Sequence, residues 1–384
     1  MAKDKAVLSF NVVGRVEDMN DLITSIDPDQ TLLTKRFGKT TVTSTEHGWL
    51  TDSLRPAMKN ATVEAHDFDT REAIPRKRAS NYTQQFEHGY TISDTTQAIK
   101  KYGVRDELAY QMVKATKEIG RDLEYAVVKN ATKTLGDNST PGEMGGIAYF
   151  LGEYKDVTVD AQGVFTTNEK HKFVVGDVIK LAMKTGTLDS KFVANKPYYV
   201  RPKTATTFTI HATEQEAQAD TNPVKPTSAV STGLQYTYNN ITDVSLKKEK
   251  GEFTFDSLND AMQDAWNRGA SIDMAVMSGA NKRKASTFTA NTVKNRNQTD
   301  TKLTQVIDVI ETDFGMIDLV AHRMYDDDVV DLLELQYWKL GYLIPFHVED
   351  VPRKGTYKEK VITGVATLEC TAPIANARIK GITA

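Results

Sequence analysis

The chain has 384 residues, 40% of them hydrophobic and 26% charged, which predicts two or three domains at roughly 150 residues each and excludes wholesale disorder or a fibrous repeat. Its 48 Lys and Arg against 51 Asp and Glu leave a net charge of −3, no bulk electrostatic reason to bind nucleic acid or an anionic membrane. The single cysteine, Cys370, excludes an intrachain disulfide framework and every multi-cysteine metal site.

No stretch approaches the roughly 18 consecutive apolar residues of a membrane helix, so no membrane partner is expected. Lys3 and Lys5 precede the apolar run Ala6 to Val13, but Ser9 and Asn11 interrupt it and Gly14-Arg15-Val16-Glu17 follows without a small-x-small cleavage site. Synthesis in the cytosol without export is expected, and triplets such as Asn81-Tyr82-Thr83 then carry no glycosylation meaning. Residues 1 to 39 hold Asp18, Asp21, Asp27 and Asp29 among scattered apolar positions with no sustained period, and read as an arm.

From Thr40 to Leu54 the chain is rich in Thr, with Val42, Trp49 and Leu50, a composition that favours an extended strand. A second extended segment, Arg78 to Thr95, includes Tyr82, Phe86, Tyr90 and Ile92. Between them Arg55 to Lys77 carries acids (Glu64, Asp67, Asp69) and then bases (Arg71, Arg76, Lys77, continuing into Arg78). Two β segments joined by a charged excursion predict a long hairpin over residues 40–95. Isolated hairpins are marginal in water, so this one is expected to lie on something else.

Apolar side chains then recur at Leu108, Met112, Ala115, Ile119, Leu123 and Val127, one stripe of one helix over 105–132. Asp106 and Glu107 sit in its first turn, where carboxylates suit the helix dipole. With Gly136-Asp137-Asn138-Ser139, Pro141-Gly142 and Gly145-Gly146 behind it, this gives a unit over 96–151. Residues 152–245 lose the helical period and show short β runs: Phe173-Val174-Val175, Val178 to Leu181, Pro197 to Arg201, Thr206 to Ala212 and Leu234 to Tyr238. Turn signals such as Gly176-Asp177 and Asn222-Pro223 punctuate them, as in a small inserted all-β domain. A helix is predicted from Asp256 to Trp266, closed by Gly269. A buried strand Ile272 to Met277, a short helix from Ala280, and strands near Val306 to Ile310, Ile317 to Ala321, Val329 to Leu335 and Val361 to Glu369 complete an α+β chain whose last portions are 246–345 and 346–384.

Gly38-Lys39-Thr40 copies the end of a phosphate-binding loop, but Leu33 stands where its first glycine is needed. Asp313-Phe314-Gly315 lacks the companion motifs of a kinase and suits a turn between strands. Glu46-His47-Gly48-Trp49 and Glu87-His88-Gly89-Tyr90 echo each other and could hold a metal if paired, although polar strand residues are the reading preferred. Asp326-Asp327-Asp328 reads as a solvated turn, and Arg76-Lys77-Arg78 and Lys282-Arg283-Lys284 as local basic rims. No nucleophile or metal-hydrolase signature occurs, so neither catalysis nor a cofactor is expected.

The order of elements, together with Glu46-His47-Gly48-Trp49-Leu50-Thr51-Asp52-Ser53-Leu54, Arg78-Ala79-Ser80-Asn81-Tyr82-Thr83-Gln84, Arg121-Asp122-Leu123-Glu124-Tyr125-Ala126, Met144-Gly145-Gly146, Thr312-Asp313-Phe314-Gly315 and Thr367-Leu368-Glu369, resembles the major capsid proteins of tailed bacteriophages over about residues 40–150 and 250–382. The segment with Asp177 to Leu181, Tyr198-Tyr199-Val200 and Thr207 to Ile210 is similar to small β modules of phage virion proteins, a departure from the minimal capsid plan.

The resemblance implies the fold shared by tailed-phage and herpesvirus shells: N-terminal arm, extended loop (40–95), peripheral domain with a spine helix (96–151), a mainly axial domain (246–345) and return strands (346–384), interrupted by the β insertion. It implies self-assembly into hexameric and pentameric capsomers of a virion shell, made in the bacterial cytoplasm, with portal and scaffold or decoration proteins as partners and double-stranded DNA held without sequence reading. Intersubunit contacts are expected from Trp49, Arg55, Glu64, Asp67, Asp69, Arg71, Arg76, Lys77, Arg78 and Tyr82 of the hairpin, opposite charges fixing register. The rival reading is a tail protein that binds a receptor or carbohydrate through the β module.

Overall fold

A computed structural model describes residues 31–52, 61–65, 76–99, 106–152, 154–168, 171, 173, 175–184, 188–193, 196–238, 241–243, 251–288 and 309–383. In chain order the elements are α1 (Leu32–Arg36), β1 (Gly38–Thr41), β2 (Glu46–Thr51), β3 (Lys77–Tyr82), β4 (Gln84–Ser93), α2 (Asp94–Ala98), α3 (Glu107–Lys129) and α4 (Ile147–Phe150). There follow β5 (Lys155–Val159), β6 (Val164–Thr167), β7 (Val178–Met183), β8 (Tyr198–Pro202), β9 (Thr207–His211), α5 (Glu214–Ala219), β10 (Leu234–Tyr238) and β11 (Ile241–Asp243). The last are α6 (Phe255–Asn267), β12 (Met274–Met277), α7 (Gly279–Phe288), β13 (Val309–Thr312), β14 (Gly315–Ala321), β15 (Val329–Leu333), β16 (Trp338–Asp350), β17 (Tyr357–Cys370) and β18 (Ala377–Lys380). Two compact units emerge, one built from Glu87–Gly120 and Phe346–Thr363, the other from Gln30–Phe86, Arg121–Pro345 and Gly364–Ala384. Among the described residues no helix is long and apolar enough to cross a membrane.

The long helix forms where the apolar stripe predicts it. Asp106 Oδ1 accepts from the Leu108 and Ala109 amides and begins α3, the bonding that a short polar side chain supplies to orphan N–H groups at a helix start. Ala115, Ile119, Leu123 and Val127 are buried as the stripe requires, but its first turns are open: Met112 and its neighbour Val113 are exposed, Val113 at 57%.

A six-stranded sheet of order β11-β18-β15-β12-β14-β13 forms one core. Central β12 is buried at every position and runs parallel to β14 and antiparallel to β15, which accounts for its uninterrupted apolar run. Leu258, Ala261, Met262 and Ala265 of α6 pack onto this sheet. Thr254 and Ser257 exchange side-chain and backbone hydrogen bonds at the start of α6, and Gly269 follows its end at φ 86°, a left-handed conformation that glycine adopts without cost. Asp313-Phe314-Gly315 makes the turn of the β13/β14 hairpin, with Thr312 opposite Gly315.

Residues 155–238 form a closed barrel of order β10-β5-β6-β9-β8-β7. Phe165 stacks on Phe208 at 5.3 Å, and Phe173, Phe192, Tyr198 and Tyr236 fill the space around them. Phe173 is buried in this core although it lies in a loop and not in the expected strand. The barrel also holds α5, which the lack of a helical period concealed: six residues are too few to show one. Its signature is the reciprocal cap between Thr213 and Glu216. The last barrel strand ends at Tyr238, and Ile241 to Asp243 already pair with β18.

A four-stranded sheet of order β1-β16-β17-β4 and a two-stranded β2-β3 ladder complete the described strands. Gly38-Lys39-Thr40 is therefore strand, paired in parallel with residues 339–341 of β16. The strands named from the sequence include none at residues 338–345, where Gly341 and Pro345 interrupt the pattern. Pro345 lies beyond the end of the β1 register, which stops at Tyr342, so its missing N–H removes no bond from that ladder.

Cys370 ends β17 fully buried, and burial pushes its thiol well above its ordinary range. Thiolate is the reactive form. A soluble aromatic disulfide reagent is expected to leave the folded chain untouched and to titrate one thiol after denaturation; prompt labelling of the native chain would contradict this burial.

Candidate intersubunit contact surface

The hairpin predicted over 40–95 is shorter in the structure. Its ladder runs from Glu46 opposite Tyr82 to Thr51 opposite Lys77, while Thr40 belongs to β1 and the residues after Thr83 belong to β4. The physical cause is Asn81, which is fully buried and fastens the end of β3. Its Nδ2 donates to the Gly145 and Leu368 carbonyls at 2.9 and 2.7 Å, and its Oδ1 accepts from the Gly145 amide at 2.8 Å. The neighbouring Gly146 must be glycine, since a Cβ there would sit 2.5 Å from the carbonyl oxygens of Ala126 and Val127 at the end of α3.

Two further contacts hold the root. Trp49 is half-buried, with its ring 6.0 Å from Phe150, which meets Trp338 edge-on at 5.9 Å. Tyr82 and Tyr149 flank Lys133, whose Nζ lies 5.4 and 5.3 Å from their ring centres and donates to the Ser80 carbonyl at 2.5 Å. Burial lowers the Lys133 ammonium below its ordinary range. Trp49 and Tyr82 thus have partners within their own chain, and Asn81, Lys133 and Phe150 are supports that sequence reading passed over. Of the three, only Asn81 lies in one of the strings that carry the resemblance, Arg78 to Gln84, and its partner Gly145 lies in another.

Beyond the root the described residues of the hairpin include several open to solvent. Leu50 is 65% exposed, and Val63 and Glu64 are exposed. Arg78 pairs with Glu46 at 3.3 Å and Arg76 with Asp52 at 3.6 Å, exposed pairs that contribute little to stability, about 0.5 kcal/mol each. Arg55, Asp67, Asp69 and Arg71 lie outside the described residues, as does the side chain of Lys77.

The echoing His motifs do not pair. His47 stands opposite Asn81 and reaches Glu369 at 2.8 Å, whereas His88 pairs with Glu118 at 3.0 Å. Each histidine already has a carboxylate of its own. Among the described residues no three His, Cys, Asp or Glu side chains gather as a metal would need.

The segment leading into the hairpin is held by a buried carboxylate. Glu124 Oε1 accepts from the Leu33 amide at 2.7 Å and from His322 Nε2 at 3.0 Å, and Oε2 accepts from the Thr34 amide at 3.0 Å. His322 Nδ1 accepts from the Met324 amide, so the ring carries its proton on Nε2. Phe37, just after α1, stacks on Trp338 at 5.6 Å.

The arrangement is that of a hairpin anchored at its root by buried contacts, with Leu50 and residues 61–65 exposed, and the chain has parallels among known proteins. The chain matches the family model described as SU10 major capsid protein over residues 4–383. It is 31% identical over 135 residues to the major capsid protein of Escherichia phage Phieco32, a stretch covering 35% of this chain and 38% of that relative. The capsid of cyanophage A-1(L) superposes with a TM-score of 0.59 at 10% identity, covering 98% of this chain and 99% of that one. The capsid of a native GTA particle gives 0.53 at 10% identity, covering 98% and 97%. At that identity the two structures speak for the fold alone.

Proposed function

The chain belongs to the SU10 major capsid protein family, and from that membership we propose that it assembles with copies of itself into hexameric and pentameric capsomers of the shell enclosing double-stranded DNA. A major capsid protein of a tailed phage is a virion component, and its role is structural. The observation that carries the assembly reading is the hairpin: its root is fixed by Asn81 inside the chain, while Leu50 and Val63 project into solvent. Apolar side chains displayed on a fixed arm gain burial when a neighbouring copy covers them. The first turns of α3, with Met112 and Val113 exposed, offer apolar surface of the kind such an arm needs. Residues 256–345 are assigned to the region near the capsomer centre. Portal, scaffold and decoration proteins are assigned as partners, and DNA is held without sequence reading, in keeping with the net charge of −3. Many modest contacts repeated around a closed shell give stability by multivalency.

Electron microscopy of the chain expressed alone tests this. Closed shells, tubes or hexameric rings are the expected result, and a persistent monomer that binds glycan would overturn it in favour of a tail protein. Deleting residues 55–77 is expected to abolish assembly while leaving a folded monomer; normal shells from that variant would remove the role given to the hairpin.

A further inference from the structure

The barrel has an outer wall that is not wet. Along β7, Ile179 and Leu181 fill the barrel core, so by strand alternation Lys180 and Ala182 point outward. Both are nevertheless buried, as is Thr237, the register partner of Lys180 on β10. The Lys180 side chain is 4% exposed, and its Nζ donates to Asp264 Oδ2 of α6 at 2.9 Å and to the Ile241 carbonyl, the first residue of β11, at 3.2 Å. One ammonium therefore joins the barrel to the helix and to the edge strand of the six-stranded sheet. A second cation joins the same two parts: Lys380 of β18 lies 5.6 Å from the ring centre of Tyr154, the residue just before β5.

We infer that Lys180 is a positioning residue that holds the inserted barrel in one orientation on α6 and β11, making it a rigid fixture of the subunit. The physical reason lies in the kind of contact. Apolar burial is non-directional and lets two surfaces slide. A buried ammonium is tolerable only while its acceptors stay within hydrogen-bond distance, and a rotation that carries Nζ away from Asp264 and Ile241 strands a charge in a low-dielectric site. Asp264 is 41% exposed and can rehydrate if the pair opens; Lys180 cannot. The orientation is thus enforced from the barrel side. The consequence for the shell, a barrel presented at a fixed angle on every copy, rests on the capsid reading, whereas the contact itself does not.

The test uses a thiol placed beside Lys180 by Thr237→Cys in the full chain, with buried Cys370 as an internal report on global unfolding. Maleimide labelling of the introduced thiol is expected to be slow. Adding Asp264→Ala, or Lys180→Ala together with Asp264→Ala so that no charge is stranded, is expected to raise its rate at least tenfold while Cys370 stays silent. The double replacement guards against a single variant that fails to fold. Unchanged labelling in the double replacement would overturn the inference, and so would both thiols opening together, because the pair would then only stabilise the fold. In shells, barrel density is expected to blur in the double replacement relative to the remainder of the subunit; equally sharp density would count against the inference. Failure of the unaltered chain to form shells would count against the capsid reading and leave the labelling result standing.

Discussion

Arg378→Ala is expected to cost about 4 kcal/mol of folding stability, among the largest effects available to a single substitution. Arg378 and Asp331 are direct cross-strand partners of β18 and β15. Asp331 is fully buried, and the guanidinium meets it through two bonds, Nε to Oδ1 at 2.7 Å and a terminal nitrogen to Oδ2 at 2.8 Å. The Tyr325 hydroxyl donates to the same Oδ2 at 2.9 Å. Burial works against the Arg378 charge and the carboxylate overcomes it, so the guanidinium is held above its ordinary range. Truncating the arginine leaves the buried Asp331 carboxylate with the Tyr325 hydroxyl as its remaining side-chain partner among those described. Most of the loss is the cost of that stranded charge, so removing both charges should restore much of it. The measurement is the denaturant midpoint followed by near-ultraviolet circular dichroism. Arg378→Ala should shift it strongly downward, and Arg378→Met with Asp331→Leu should recover at least half of the shift. Equal losses in the two variants would show that the destabilisation is a packing effect.

Glu124→Ala should release the strap that enters the hairpin. Three donors converge on this carboxylate: the Leu33 and Thr34 amides and His322 Nε2. Leaving them unmet at about 1 kcal/mol apiece gives a loss of about 3 kcal/mol. Amide exchange at Leu33 and Thr34 is expected to accelerate by about 100-fold, as a loss of that size allows. Exchange at β1 should follow, because α1 and the stacking of Phe37 on Trp338 guide that strand to β16. Glu124→Gln should recover only part of the protection. Its amide nitrogen is itself a donor and would face one of the three donors, so two-oxygen acceptance is lost. Unchanged exchange at Leu33 and Thr34 in the alanine variant would show that Leu33 and Phe37 burial alone secures the strap.

The features legible in the sequence are those whose signal is local. The α3 stripe repeats every three or four residues, and the helix read from Asp256 with its stop at Gly269 is seen as α6, whose stop is a backbone effect within one turn. The β13/β14 turn at Asp313-Phe314-Gly315 depends on adjacent residues only. The family resemblance was legible for a related reason, since it rests on short strings in a fixed order, and the SU10 match carries it across residues 4–383. Elements without a strong local pattern escaped. Strand β16 is broken in pattern by Gly341 and Pro345, and α5 is shorter than two turns.

Partner choice was decided by tertiary structure. Nothing near Glu124 in the chain announces that it caps α1, whose Leu33 is 91 residues away, or that Asn81 ties β3 to Leu368 across 287 residues. Lys180 read as an ordinary strand residue of an all-β segment; only folding brings it to Asp264. By itself the sequence determined those helices and strands that carry a strong local pattern, that no disulfide could staple them, and which family they compose. Tertiary structure decided which polar side chains became buried anchors, because the cost of burying a charge or an amide is met by groups that chain order does not place side by side.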